Sequence, residues 1–323
     1  MKPRIIYMGT PEFAVAPLQS LIKEGYEIAA VVTVPDKPSG RGLKLNESAV
    51  KQFAVSEGLK ILQPVSLKDP DFLAELEKIN ADLFIVVAFR MLPKIVWSMP
   101  KMGTFNLHGS LLPQYRGAAP INWAIINGET KTGVTTFFID EKIDTGNILM
   151  QEETPIGERE NIGSLYDRLM NMGAELVVKT VEGISTGSLV PKPQNLMINS
   201  TDTIHDAPKL TKKLCRIDWN KSAIETDRLI RGLSPYPAAF STISDGTKST
   251  DIKIFEASPA VIANTELQNC KPGEILTDKK SYIHVVCKYG AVSLEEIQLA
   301  GKKRMKTKDF LLGFRDIEKY RFL

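Results

Sequence analysis

Over its first 190 residues the chain alternates short apolar runs with helical patterns, and few folds accept that alternation. Ile5-Ile6-Tyr7-Met8, Ala29-Ala30-Val31-Val32-Thr33, Leu83-Phe84-Ile85-Val86-Val87 and Gly103-Thr104-Phe105-Asn106-Leu107-His108 read as strands, with a short one at 60–62. Helical patterns fall at about 11–24, 47–57 and 69–78, and Pro11 suits the opening of the first, where its missing N–H costs nothing. Runs this continuously apolar are covered on both faces. The order predicts an α/β domain with a doubly wound, Rossmann-like, mostly parallel sheet. Ligands of such sheets bind beyond the carboxyl ends of the strands, and His108 stands at one of those ends.

Near residue 185 the pattern breaks into Ser185-Thr186-Gly187-Ser188 and Pro191-Lys192-Pro193-Gln194-Asn195, continuing to Pro208. That composition reads as a linker. Beyond it come one helical segment at about 221–232 and short strands at 237–243, 251–257, 272–276, 281–287 and 291–299. Asp245-Gly246, Lys271-Pro272-Gly273 and Tyr289-Gly290 punctuate them, as in a small β-barrel. The expected division is 1–189, a linker at 190–207 and a C-terminal β-barrel domain at 208–323, two domains for a 323-residue chain. Trp219 and Phe240 are expected in the core.

With 43% hydrophobic and 24% charged residues, global disorder is excluded. No apolar run reaches the roughly 18–20 residues of a membrane helix, and the apolar stretch within Met1–Met8 is too short for a signal peptide. Cys215, Cys270 and Cys287 are odd in number and lack a CxxC pair, which argues against a disulfide framework or a zinc cluster. A reduced, cytoplasmic protein is expected. Charge is unevenly spread: residues 1–206 hold 20 Lys+Arg against 24 Asp+Glu, net −4, whereas 207–323 hold 21 against 14, net +7. The basic second part suggests contact with a polyanion; a solvated lysine-rich surface is the alternative.

The first strand–turn–helix, Gly9-Thr10-Pro11-Glu12-Phe13-Ala14, has one glycine where a dinucleotide fingerprint needs three, and no GxxxxGK[ST] loop occurs. NAD and ATP are therefore not expected. More informative is Asn106-Leu107-His108-Gly109-Ser110-Leu111-Leu112-Pro113, continuing to Pro120. Asn106 and His108 lie two apart on a strand, so both side chains share a face. Downstream, Gly133–Asp140 reads as another strand, followed by Glu141-Lys142-Ile143-Asp144-Thr145-Gly146. If the two strands are neighbours, Asp144 reaches the imidazole, holds one tautomer and favours the imidazolium. Asn, His and Asp together suit acyl transfer, with donors for a developing oxyanion and a proton carrier. No Ser or Cys elbow supplies a nucleophile, which leaves an external one. The bland alternative is a structural Asn-x-His with an ordinary Asp-Thr-Gly turn.

The same residues carry a resemblance. Asn106-x-His108-x-Ser110-Leu111-Leu112-Pro113-x-Tyr115-Arg116-Gly117-Ala118-Ala119-Pro120, with Asp144-Thr145-Gly146, resembles the signature of the formyltetrahydrofolate-dependent formyltransferases. Gly9–Ala14, Pro35–Gly42, Gln63-Pro64, Arg216-Ile217-Asp218-Trp219 and Ala300-Gly301-Lys302-Lys303 are similar to the branch that acts on charged initiator tRNA. Ala88-Phe89-Arg90-Met91-Leu92-Pro93 departs from the Ala-Tyr-Gly pattern of that branch, and Arg90 is similar to the glycinamide ribonucleotide branch instead.

The resemblance implies that the formyl group of 10-formyltetrahydrofolate, a co-substrate, passes to the α-amino group of methionine on initiator methionyl-tRNA, for translation initiation. It implies no metal, no membrane and no obligate protein partner. Asn106, His108 and Asp144 would be catalytic. Folate would meet Phe89, Arg90, Leu92, Ser110, Leu111, Leu112, Pro113, Ile139 and Asp140. The loop 34–46 is longer than the usual two to six residues and carries net +2. Its Lys37, Arg41 and Lys44 would meet the acceptor stem, a plain surface loop being the alternative. The C-terminal barrel would be OB-like and present Lys209, Lys212, Lys213, Arg216, Lys302, Lys303 and Arg304 to the tRNA backbone. His205 and His284 read as incidental. A formyltransferase for a small amine, a formyltetrahydrofolate hydrolase and an RNA-binding module with an idle α/β domain remain as alternative readings.

Overall fold

The computed structural model describes residues 2–39, 44–198 and 203–323. It divides into two compact units, one of Met1–Pro120, Thr132–Thr154 and Tyr166–Ala207, the other of Ile121–Lys131, Pro155–Leu165 and Pro208–Leu323.

The first unit is built on seven strands: β1 (Arg4–Gly9), β2 (Glu27–Val32), β3 (Ile61–Leu62), β4 (Leu83–Val87), β5 (Thr104–His108), β6 (Lys131–Phe138) and β7 (Ile148–Pro155). They lie in the order β7-β6-β5-β4-β1-β2-β3. β1 runs parallel to β2 and β4, β2 to β3, and β4 to β5; β6 is antiparallel to β5. The chain grows outward from β1 through β2 to β3, then returns to β4 on the other side. The strand order therefore reverses between β1 and β4, where open α/β sheets keep their ligand crevice.

Every residue of β4 is buried, which is why the strand shows no polar alternation in sequence. Ile6, Met8, Phe84 and Val86 form one face with Phe72, Leu76 and Ile79 of the helix Pro70–Ile79. That helix starts where the Asp69 carboxylate accepts from the N–H groups of Asp71 and Phe72, with Pro70 in its first turn. It stops at Asn80, in the left-handed region with φ 48°. Leu107 packs against Gly173 of the long helix Ile162–Thr186, where a Cβ would come within 2.6 Å of its Cδ2. Leu107 thus faces that helix, so alternation along β5 sends Asn106 and His108 to the other face.

In the second unit the strands run in the order Ile275–Thr277, Ile283–Val286, Ala291–Leu299, Ser249–Pro259, Ala239–Ser244 and Arg321–Phe322, with Met305–Lys306 beside Ala291–Leu299. The pairings are antiparallel. The Phe322 N–H donates to the carbonyl of Gly273 at 2.8 Å, which brings the last strand to the residues entering the first and nearly closes the barrel. Inside lie Ile243, Ile254, Val285, Val292, Leu294 and Ile297, with Ile230 and Leu233 of the helix Ala223–Leu233. Trp219 is buried here and donates its indole N–H to Ser241 Oγ at 3.0 Å; Phe240 packs against the same cluster. Among the described residues no helix is long and apolar enough to cross a membrane.

Candidate active site

β5 places the two central side chains. Asn106 lies opposite Val86 of parallel β4 and Phe137 of antiparallel β6, and His108 lies opposite Thr135. His108 is buried, and the Phe137 ring meets its imidazole edge-on at 6.4 Å between centroids. The Oδ1 of Asn106 is buried and has no hydrogen-bond partner among the described residues. An unpaired buried amide oxygen is costly and calls for an explanation.

After β5 the backbone folds back on itself. The Ser110 hydroxyl, fully buried, donates to the Gln114 carbonyl at 2.6 Å, and Thr135 Oγ1 donates to the Ser110 carbonyl at 2.6 Å. Thr135 also accepts from the Leu112 N–H and from Gln151. This turn swings the carbonyl of Tyr115, at φ 61°, to 2.8 Å from His108 Nε2. A carbonyl only accepts, so Nε2 carries a proton and Nδ1 is the nitrogen left for chemistry. Asp144 Oδ2 sits 3.9 Å from that Nδ1, an ion-pair distance longer than a hydrogen bond. The same carboxylate oxygen accepts from the Gly117 N–H at 2.9 Å.

Asn106, His108 and Asp144 therefore converge, as the neighbouring strands β5 and β6 require. The other residues expected to meet folate divide. Leu92 is buried in the core under the sheet, with Phe89 and Ile139 packed on the same cluster. Ser110, Leu112 and Pro113 are buried in the turn, and Leu111 lies against Gly133. Asp140 is exposed and accepts from the Thr145 hydroxyl and the Lys142 N–H, closing its own loop. The Arg90 guanidinium stacks on Phe89 at 5.5 Å and donates to the carbonyls of Pro64 and Val65, so its charge fastens one loop to another. Burial pushes the Arg90 guanidinium below its ordinary pKa.

A cleft of about 490 Å³ borders the Asp144 loop. Arg116, Asp140, Glu141, Lys142, Thr145, Asn147 and Pro193–Asn195 form its walls; Asn106 and His108 do not.

Of the basic loop, Lys37 is exposed on Lys37–Ser39, which pairs antiparallel with the strand opened by Lys44, Lys44–Asn46. Arg41 lies outside the described residues. The base of the loop is held by Asp36, whose carboxylate bonds to Lys51 and Gln63; the ammonium of Lys51 above all holds it below the usual carboxylate range. On the second unit Lys209, Lys212, Lys213, Arg216, Lys302, Lys303 and Arg304 are all exposed. Lys212 and Arg216 lie over the Phe240 ring at 5.7 and 5.9 Å, and Arg304 lies over Phe255 at 4.3 Å while pairing with Glu296. Among the described residues no group of three or more His, Cys, Asp or Glu is placed to hold a metal.

Several contacts of the site were not read from the sequence. They are those of the Tyr115 carbonyl, the Gly117 N–H and the Thr135 hydroxyl, and of the stretch formed by 192–198 and 203–207. In that stretch Lys192 bridges to Ile148, the Tyr115 N–H donates to the His205 carbonyl, and Asp206–Ala207 pairs with Arg116–Gly117. His205 also stacks on Tyr115 at 5.8 Å.

A family model described as formyl transferase matches residues 1–181, and one described as formyl transferase, C-terminal domain, matches residues 209–315. A methionyl-tRNA formyltransferase of Flavobacterium johnsoniae is 52% identical over 312 residues, 97% of this chain and 96% of its own. Another, of Phocaeicola vulgatus, is 53% identical over 315 residues, again 97% and 96%. Among solved structures, HypX from Aquifex aeolicus in complex with tetrahydrofolic acid matches with a TM-score of 0.61 at 22% identity, over 96% of this chain and 47% of its own. The N-formyltransferase of Helicobacter canadensis, in complex with folinic acid and dTDP-3-aminofucose, matches with a TM-score of 0.62 at 20% identity, over 90% and 98%. At such identities these two likenesses are likenesses of fold.

Proposed function

Because the chain belongs to the formyl transferase family, among its methionyl-tRNA formyltransferases, we propose that Asn106, His108 and Asp144 perform its reaction. The reaction moves the formyl group of 10-formyltetrahydrofolate to the α-amino group of methionine on initiator methionyl-tRNA, and so serves translation initiation. The observation that carries the assignment is the convergence of Asn106, whose buried Oδ1 is unpaired among the described residues, a buried imidazole and a carboxylate at one strand end.

The amine nitrogen bonds to the formyl carbon, negative charge gathers on the formyl oxygen, and the C–N bond to the folate then breaks as the folate nitrogen takes up the proton that the amine gives up. Asn106 donates to that oxygen from its amide. His108, with Nε2 fixed by the Tyr115 carbonyl, presents Nδ1 as the second donor. Asp144, 3.9 Å from the imidazole, takes the ammonium proton, directly or through water.

Folate lies along Phe89–Pro93, the Ser110–Pro113 turn and Ile139–Asp140; what supports this reading is that the first two segments follow the carboxyl ends of β4 and β5, where open α/β sheets hold their ligands. The first unit is the catalytic domain, with 190–198 and 203–207 belonging to it, and the barrel of the second unit binds the tRNA. Lys37, Arg41 and Lys44 meet the acceptor end, and the barrel's exposed lysines and arginines meet the phosphates. The enzyme works in the cytoplasm.

Asn106→Ala and His108→Ala test the assignment. Each is expected to lower kcat by roughly 100- to 1,000-fold, the usual loss for one oxyanion donor, with folate affinity near that of the parent. Unimpaired turnover in either variant rejects its role. Comparing charged initiator tRNA with elongator methionyl-tRNA as acceptors separates this reading from a small-amine formyltransferase and from a hydrolase.

A further inference from the structure

We propose that Gln194 is a positioning residue for Asp144; the inference rests on the reading of Asp144 given above. Gln194 belongs to the stretch that reads as linker in the sequence, yet only 3% of its surface is exposed. Its Nε2 donates to two backbone carbonyls of the catalytic loop, those of Asp144 and Gly146, each at 2.9 Å. Its Oε1 accepts from Arg116 Nε at 3.1 Å and Nη2 at 2.6 Å.

The orientation of this amide is forced. Carbonyls offer no proton and a guanidinium offers no lone pair, so a flipped amide would face two acceptors with its oxygen and donors with its nitrogen. All four hydrogen-bonding positions of the amide are used, and rotation would sacrifice every one.

Asp144 needs such a holder. Its φ is 55°, a left-handed conformation that a non-glycine residue keeps only where its surroundings impose it. Gln194 fixes the carbonyl of Asp144, and Gly117 fixes its carboxylate. Arg116, which Gln194 grips, is the residue before Gly117, so one buried amide aligns both ends of Asp144. With His108 Nδ1 at 3.9 Å from the carboxylate, a small slide of the loop removes the charge from the imidazole.

The test is a double-mutant cycle on the full chain in single-turnover formylation of charged initiator tRNA. Gln194→Ala is expected to lower kcat by roughly 10- to 100-fold, the scale of an ångström-level misplacement, with KM for folate and for tRNA within about threefold. In an Asp144→Asn background the same substitution is expected to cost less than about threefold, because the residue it positions is already disabled. Gln194→Glu keeps the acceptor for Arg116 and the side-chain volume but turns an oxygen on both carbonyls. It is expected to lose kcat as the alanine variant does, and it carries the test if the alanine variant does not fold.

An equal loss in both backgrounds, an effect on KM alone, or wild-type kcat in Gln194→Glu overturns the proposal. Asp144→Asn with parental activity overturns the reading of Asp144 itself, a result distinguishable from failure of the Gln194 step.

Discussion

At the turn between β6 and β7 a single glycine is demanded by collision. A Cβ on Gly146 would overlap the carbonyl oxygen of Phe138, and backbone cannot swing aside as a side chain can. The close approach lets the chain leave β6, present Asp144 and re-enter the sheet within nine residues, between Phe138 and Ile148. A second contact of the same kind stands at Gly117, where φ is 123° and a Cβ would come within 2.6 Å of the Ala207 carbonyl. Both glycines fix the backbone around one carboxylate. Gly146→Ala is therefore expected to push the Asp144 loop off its present path and to lower kcat by about 100-fold or more, since a 1 Å error in a catalytic group costs that much. Steady-state kinetics beside a thermal melt checks this. A folded variant with parental turnover would show that the loop position does not matter for catalysis.

The helix Ala223–Leu233 shows what an element can owe to charge. Ser222 and Glu225 form a capping box at its start, made between near neighbours in sequence. Its buried Asp227 reaches further along the chain. Asp227 pairs with Arg159 at 2.8 Å and with Arg231 at 2.9 Å. Those arginines also donate to the carbonyls of Ala257 and Glu160, so helix, barrel strand and the stretch 155–165 meet at one carboxylate. Removing one member of a buried ionic group leaves its partners uncompensated, at about 3–5 kcal/mol. Arg159 is half-exposed and regains water, so the cost falls mainly on Arg231. Asp227→Ala is expected to lose roughly 3 kcal/mol, read as a lowered urea midpoint; an unchanged midpoint would mean the cluster is neutral to stability.

The contrast between Ser222 and Asp227 generalises. Periodicity and local caps announced the strands β1, β2, β4 and β5, the helix Pro70–Ile79 and the barrel's turns, because neighbours in sequence make them. Asn106 and His108 were legible for the same reason, two residues apart on one strand. Gln194 and Arg116 stand 78 positions apart, and Asp206–Ala207 pairs with residues about 90 positions earlier. Proline and polar residues look alike in a free connector and in one bonded along its length, so composition could not tell the two apart.

For the molecule as a whole, the uneven charge becomes a statement about salt. Residues 207–323 carry net +7, and their Lys209, Lys212, Lys213, Lys302 and Lys303 are exposed surface charge of the kind that meets phosphates. Each phosphate neutralised releases condensed counterions, so log affinity falls with log salt in proportion to the number of contacts, with a slope of about 0.7–0.9 per contact. The proposed site works differently, since Asn106, His108 and Asp144 lie half-buried or buried in the first unit, away from bulk screening. KM for charged tRNA is therefore expected to rise steeply between low and physiological salt while KM for 10-formyltetrahydrofolate moves little. Replacing Lys302 and Lys303 together by alanine should weaken tRNA binding and reduce the slope by about 1.4–1.8, leaving formyl transfer at saturating tRNA near the parental rate. Equal salt dependence of the two KM values, or an unchanged slope in the double variant, would remove the barrel from the tRNA interface and leave the loop around Lys37 and Arg41 as the electrostatic contact.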